Sequence, residues 1–381
     1  MRRRVWFLKK VIEVVHVKTQ KELKAFVDFP FTLYKNHRYW TPPLKQEVYK
    51  LLDKSKNPFW DHAEREIYLA YRNKRIAGRI CAIVDYNFIE FWNEKTGYFG
   101  FFECDEDEDA AQALFEQVTT FHREKGMTQY IGPVNPSTND ECGMLVEGFF
   151  TPPAIMMPHN FEYYPRLCEH AGLAKAKDLN AYYVDIKDAP FDYLERLCSI
   201  VRRRVQDLKV RPIDMNEFRN EVQRIKEVYN DAWSRNWGFV PMTDAEIDAM
   251  AENLKPLVKP ELVIMIDIDN VPAAVSLSLP NYNQVLKRLN GRLGPIEMLK
   301  FLYYKNKIKE ARLMVMGVRN QYRKMGLESL LFLESFRAGQ KLGYTGGELS
   351  WVLEDNQSTN REIVKMGGEL YKKYRIYRGN V

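Results

Sequence analysis

The 381-residue sequence predicts an α/β protein of two successive modules, each with a mixed, mostly antiparallel central sheet and flanking helices. Three observations predict it. Period-two and period-3.6 hydrophobic patterns follow one another along the chain. The order of these segments in the first half recurs in the second. A chain of this length, 45% hydrophobic and 28% charged, can bury two cores at about 100–200 residues per domain.

The first module opens with a β-branched strand at 11–17 and an amphipathic helix at 21–26. A hairpin follows, 66–70 and 75–85, turning at Arg72, Asn73 and Lys74. Then come a strand at 97–102, a long helix at 109–125 that stops at Gly126, and a strand at 181–186. The polar, proline-bearing stretch 187–190 divides the chain into modules 1–188 and 189–381. The second module has a helix at 193–207, a strand at 208–213, a helix at 216–233 and a hairpin, 262–266 and 273–279, turning at Asp269 and Asn270. A strand at 312–318, a helix at 322–342, a strand at 347–353, a helix at 359–366 and a strand at 371–377 complete it. The duplication rests on element order, because no residue-level repeat is visible.

Five scattered cysteines with no CxxC pair argue against a disulfide framework, and no metal site is expected. Arg2 to Arg4 make a basic start, but Lys9 and Lys10 interrupt the apolar run well short of a signal sequence. No apolar stretch approaches the length of a spanning helix, so the sequence implies a cytoplasmic protein without a membrane partner. A net charge of +6 permits an anionic ligand without demanding nucleic acid. Arg202, Arg203, Arg204 and Arg211 read as a solvated face, since no nucleic-acid-binding motif accompanies them. Cys142 could pair with His62 or His159 as a nucleophile, yet a lone cysteine is more often packing.

The segment with the most chemistry is the strand 312–318 and the basic turn after it. A strand-to-helix turn presents unpaired N–H groups, the positive end of the helix dipole and here the cations Arg323 and Lys324, a combination suited to a pyrophosphate. Gly326 lets the backbone approach it closely. Arg323, Lys324, Met325, Gly326 and Leu327 resemble the cofactor motif of the GNAT acyltransferase superfamily, Arg/Gln-x-x-Gly-x-Gly/Ala. Glu328 departs from the small residue of the sixth position. The segment 347–356, the helix after it and Gly367-Gly368 resemble the family's next strand, its Asn-started helix and its closing turn.

The resemblance implies two tandem GNAT-like (acyl-CoA N-acyltransferase) domains in a bacterial two-domain branch. It implies acetyl-CoA or another acyl-CoA as co-substrate, with the diphosphate at 323–327, the pantetheine arm on the edge of Met316, Gly317 and Val318, and Asn356 beside it. The reaction it implies is acyl transfer to the amine of a small-molecule or peptide acceptor. A lysine-like amine is deprotonated in only about one molecule in 2,500 at pH 7, so a base or a desolvating pocket must offset the cost, unless positioning of amine and thioester alone suffices. Glu348 is the first candidate, on one strand face with Ser350 and Val352, while Leu349, Trp351 and Leu353 share the other. The family's acid tyrosine position is Ile363 here, which leaves Tyr374 or Tyr377 as a replacement donor, or no acid at all.

The counterpart of the basic turn in the first module is 103–109, where six of seven residues are acidic. Such a turn repels a pyrophosphate, so the first module is expected to shape the acceptor site instead. Segments 57–64, 132–143 and 229–239 mix polar and aromatic residues densely enough for a binding wall. Their candidates for acceptor binding are Asn139, Asp140, Asn230, Asp231, Trp233, Asn236 and Trp237. Two alternatives remain: a catalytically inactive acyl-CoA-binding or scaffold protein, and a Fem-type aminoacyl transferase.

Overall fold

The period-two segments pair into one sheet that runs through both halves of the chain. The structure, a computed structural model, describes residues 12–381. The basic start of the sequence and the first residue of the 11–17 strand lie outside them. The first half supplies β1 (Ile12–His16), β2 (Ala63–Arg72), β3 (Arg75–Asp85), β4 (Thr96–Cys104), β5 (Gln129–Gly132), β6 (Val134–Asn135), β7 (Glu141–Cys142), β8 (Met144–Glu147) and β9 (Ala174–Asp185). The second supplies β10 (Leu208–Pro212), β11 (Val263–Ile268), β12 (Val271–Pro280), β13 (Glu310–Val318), β14 (Gly346–Leu353) and β15 (Glu369–Asn380).

The sheet order is β1-β2-β3-β4-β5-β15-β9-β14-β13-β12-β11-β10, symmetric about its centre. Each half finishes in the other's sheet. β9 lies against β14, and β15, the last strand of the chain, lies against β5. β9 and β15 also pair with each other along most of their length. This exchange leaves neither half with an open central edge. Both hairpins turn on two residues with positive φ, Asn73-Lys74 and Asp269-Asn270, the two-residue turn that matches strand twist.

Helices cover the sheet: α1 (Gln20–Leu33), α2 (Lys45–Leu52), α3 (Tyr86–Trp92), α4 (Glu108–Glu124), α5 (Tyr164–His170), α6 (Phe191–Arg204), α7 (Phe218–Trp233), α8 (Asp244–Leu254), α9 (Asn283–Leu289), α10 (Pro295–Tyr304), α11 (Leu327–Lys341) and α12 (Gln357–Lys365). The two long helices use their apolar stripes alike. α4 buries Leu114, Phe115 and Val118 in one half, and α11 buries Leu330, Leu331 and Phe336 in the other. Two expectations need correction. The 132–143 segment is partly the β6–β7 ribbon, whose two-residue strands are too short for any period to reveal. The 322–342 helix starts only at Leu327, after a short 3-10 turn at Asn320–Tyr322.

A half-buried ionic contact ties α8 to the first half. His62 Nδ1 lies 3.0 Å from Asp85 and Nε2 lies 3.2 Å from Glu246. Burial alone would push the imidazole down, but the two carboxylates outweigh it and raise it to about 10. Its stabilisation is complete below the ordinary histidine pKa of 6.5 and is lost as pH rises toward 10. Wild type is therefore expected to lose stability across that window in urea titrations, and His62→Gln to show a flatter profile. Parallel profiles would contradict the contact's role.

Candidate active site

The strand that carries the sequence's strongest motif is also where the sheet opens. β13 and β14 run parallel and pair at Glu310–Gly346, Ala311–Gly347, Arg312–Glu348 and Leu313–Leu349, then part. On the other side of β13, the register against β12 shifts between Leu277 and Ser278, leaving Met314 as the extra residue of a bulge. Bulges re-aim side chains and end pairing. Here the last β13–β14 pair is the residue before the bulge. From Met314 to Val318 the β14-facing edge of β13 has no strand partner among the described residues. Met316, Gly317 and Val318 therefore lie on an edge with no strand partner among the described residues. Gly317 permits another approach: a Cβ there would lie 2.2 Å from the Trp233 ring, so only glycine lets the end of α7 pack onto the strand.

Beyond β13, the chain turns through 319–326 into α11. Gly326 opens the helix at φ +81°, and no side chain caps it. The N–H groups of Lys324, Gly326, Leu327 and Glu328 have no acceptor among the described residues, an anion-ready arrangement. Lys324 and Met325 are exposed. The turn is anchored from α7: Asn320 donates N–H to Asp231 Oδ2 (2.5 Å) and Nδ2 to the Asp231 carbonyl (2.8 Å), and Arg323 donates to the Ala232 carbonyl (2.9 Å). Glu328 is half-buried and faces α12, where burial and then its charge push the Glu362 carboxyl up. The corner thus presents these four N–H groups beside the exposed Lys324, chemistry that suits an anion.

The first half has the same opening, filled by its own chain. β4 and β5 part after Tyr98–Ile131, and Asn135 of β6 occupies the gap, accepting the Phe101 N–H at 2.6 Å. The start of α4 is capped by Asp107, which accepts from Ala110 N–H (3.0 Å) and pairs with Arg72. Glu103 accepts from the hydroxyls of Tyr34 and Tyr164, each at 2.7 Å.

Between the halves lies a cavity of about 290 Å³, far above the ~15 Å³ that admits one water. Its wall includes Met314 and Val315 of β13, Trp351 and Leu353 of β14, and Leu179 and Ile376 of the exchanged strands. It thus reaches both strands of the opening. Of the acceptor candidates, Asn139, Asp140, Trp233, Asn236 and Trp237 line it. Asn230 and Asp231 do not; Asp231 holds the phosphate-side turn, as described above. Asn139 is fixed by Tyr229 (2.9 Å) and by the Val240 carbonyl (3.1 Å), so both modules meet at this wall. Asp140 accepts from Ser137 Oγ at 2.8 Å, and burial pushes its carboxyl up to about 7, a value suited to general-base work.

Glu348 and Tyr374 do not line the cavity. Glu348 is buried and engaged: Ser350 Oγ donates to it at 2.5 Å, Tyr371 donates to its other oxygen, and Arg312 Nε lies 3.6 Å away. Buried Arg312 donates to Ser350 Oγ (3.0 Å) and to the carbonyls of Ile155 (2.7 Å) and Met156 (3.1 Å). It ties β13 to the first half. A register shift after Leu349 breaks the expected alternation of β14: Val352 joins Leu349 in one core, while Trp351 and Leu353 turn to the cavity. Tyr374 is fully buried and its hydroxyl has no hydrogen-bond partner among the described residues, and Ile363 packs in the core. Tyr377 donates to Glu169 instead. Asn356 caps α12 through Thr359 N–H at 3.3 Å. Burial pushes the Cys142 thiol up to about 12, and no hydrogen bond joins it to His62 or His159 among the described residues. Arg211 is balanced by Glu221 (2.6 Å) and Asp267 (2.9 Å). Arg312 was missed in the sequence: only its place one pair before the opening marks it, and strand pairing is needed to see that.

No group of His, Cys, Asp and Glu among the described residues could hold a metal, and no helix among them is long and apolar enough to cross a membrane. No protein-family model matches the chain. Over nearly its whole length it aligns with solved GNAT structures. One is a tandem GNAT protein from the clavulanic acid biosynthesis pathway (11% identity, 97% of this chain and 98% of that one, TM-score 0.56). Another is a GCN5-related N-acetyltransferase from Sphaerobacter thermophilus (11% identity, 97% and 95%, TM-score 0.52). Among curated proteins it is 35% identical to protein YghO of Escherichia coli K12 over 94% of this chain and 93% of that one. It is 37% identical to the bacterial ceramide synthase of Caulobacter vibrioides over 96% and 97%. The chain therefore has a tandem GNAT fold and belongs to the family that contains YghO and the bacterial ceramide synthase.

Proposed function

We propose that the protein is an acyl-CoA-dependent N-acyltransferase whose acceptor is the primary amine of a long-chain, amphiphilic molecule. The observation that carries this reading is the largely apolar cavity that reaches the open β13–β14 edge and holds one carboxylate raised to about 7. The name of the Caulobacter relative, a ceramide synthase, points to the same acceptor class, an amine on a hydrocarbon chain. The apolar wall supports a hydrocarbon chain more than a polar peptide.

In this reading the N–H groups at Lys324 to Glu328 hold the diphosphate, and the free edge of Met316, Gly317 and Val318 pairs with the pantetheine amides. Asp140 takes a proton from the ammonium. The amine nitrogen forms a bond to the thioester carbonyl carbon, the C–S bond breaks, and the departing CoA thiolate takes the second proton from the nitrogen, while Asp140 releases the first to solvent. Edge N–H groups of β13 stabilise the oxyanion. With an ordinary thiol pKa near 8.5 the leaving group needs little acid help, which fits the loss of the family tyrosine at Ile363. Glu348 acts as a positioning residue for Arg312, and the buried Tyr374 packs beside that cluster without a hydrogen bond to it.

Thiol release from acyl-CoA, followed with a chromogenic thiol reagent, tests the reading. Sphinganine is expected to drive release, and an amine four methylenes shorter to have kcat/KM lower by roughly 10²-fold, at ~0.8 kcal/mol per methylene. Equal rates with butylamine would contradict a long-chain acceptor. No release with any amine, despite CoA binding, would leave a silent CoA-binding protein.

A further inference from the structure

α10 is amphipathic the wrong way round. Ile296, Leu299, Leu302 and Tyr303 share a face by their spacing, and they are 67%, 69%, 47% and 59% exposed. No residue of the helix is fully buried. Its other face, through Phe301 and Tyr304, packs against the cluster of Tyr282, Val285 and Ile308. Leu254, Val258, Leu277 and Met314 pack against the same cluster and line the cavity. The helix thus stands one layer of side chains outside the proposed acceptor site.

The charge around it is as lopsided as its polarity. Residues 283–309 contain seven Lys or Arg and one Glu, a surplus of six. That equals the net charge of the whole chain, so the remainder is balanced. Arg292, Lys300, Lys305 and Lys307 form no ion pair among the described residues. Lys307 lies 4.0 Å from the centre of the Tyr303 ring and donates to its hydroxyl at 2.6 Å, and Arg288 stacks 4.3 Å from the Tyr304 ring centre. A second copy of this face would bring like charges together. An anionic surface with an apolar layer beneath it satisfies both features.

We infer that α10 and its basic rim form a peripheral docking surface for an anionic lipid bilayer, with Ile296, Leu299, Leu302 and Tyr303 entering the headgroup region. This does not depend on the transferase reading, since the patch is defined by its own exposure and charge. If both hold, docking sets the cavity beside the phase in which a long-chain amine resides.

Co-sedimentation of the full chain with vesicles tests it. Vesicles of equal phosphatidylglycerol and phosphatidylcholine are expected to bind it at least ten-fold more tightly than phosphatidylcholine alone, with binding weakened by high salt. The double variant Ile296→Glu and Leu299→Glu is expected to lose at least ten-fold in binding with an unchanged melting temperature, because both side chains are two-thirds exposed. A second variant, Arg292→Glu with Lys300→Glu, is expected to lose the preference for anionic vesicles. Absence of binding, or equal binding by wild type and both variants, would overturn the inference. So would a concentration-dependent dimer in sedimentation velocity that the first variant dissolves, because the face would then belong to a second copy.

Discussion

Asp140→Asn is expected to lower kcat by roughly 10²- to 10⁴-fold, the usual cost of losing a positioned general base. Wild-type kcat/KM is expected to rise with pH through about 7, where Asp140 ionises, and the variant to lose that limb. Stability should move the other way. The folded carboxyl sits near 7 against an ordinary 3.8, so its ionised form is disfavoured by folding and the cost is complete above pH 7. Asn removes that cost. The variant is expected to be more stable than wild type by ~1–3 kcal/mol at pH 8, given ~1.4 kcal/mol per unit as a ceiling, and to match it at pH 4. Higher stability with lower activity is the pattern of a residue kept for chemistry. Unchanged kcat, or loss of both, would contradict the assignment. If Glu348→Gln removes the pH limb while Asp140→Asn does not, the base is Glu348, as the sequence alone implied.

Arg312→Met is expected to destabilise the protein by ~3–5 kcal/mol, because it strips a buried ion pair of one partner. Glu348 would remain buried with Ser350 and Tyr371, and the carbonyls of Ile155 and Met156 would lose their donor. Adding Glu348→Gln is expected to recover much of the loss, since the uncompensated charge goes too. A double-mutant cycle in urea should give a coupling of ~1–3 kcal/mol. Additive losses would mean that Arg312 acts only through the carbonyls.

Much of this architecture was legible because it is local. The hairpin turns at Asn73-Lys74 and Asp269-Asn270 announce themselves by residue type, and the long helices by a stripe and a glycine stop. The motif at Arg323 to Leu327 lies where its spacing places it, at an uncapped helix start. The exchange of β9 and β15 was not legible, because which edge a strand joins is a non-local choice between equally apolar partners. The surroundings of Glu348 were hidden for a related reason. Its position on a strand face was readable, but the Arg312, Ser350 and Tyr371 groups that close around it come from three strands. In the sequence Asp140 reads only as part of a polar wall, because the burial that raises its carboxyl exists only in the folded cavity.

The central claim is that the corner from Lys324 to Glu328 binds the diphosphate of an acyl-CoA in the second half alone. Calorimetric titration of CoA tests it most directly, with wild type, Gly326→Trp and Lys324→Glu, each first shown by thermal melting to be folded. Wild type is expected to bind one CoA per chain with a Kd of roughly micromolar order, about −8 kcal/mol. Gly326→Trp, placed on the turn at φ +81°, is expected to abolish binding, and Lys324→Glu to weaken it at least ten-fold. No heat from wild type, or binding that both variants retain, would contradict it.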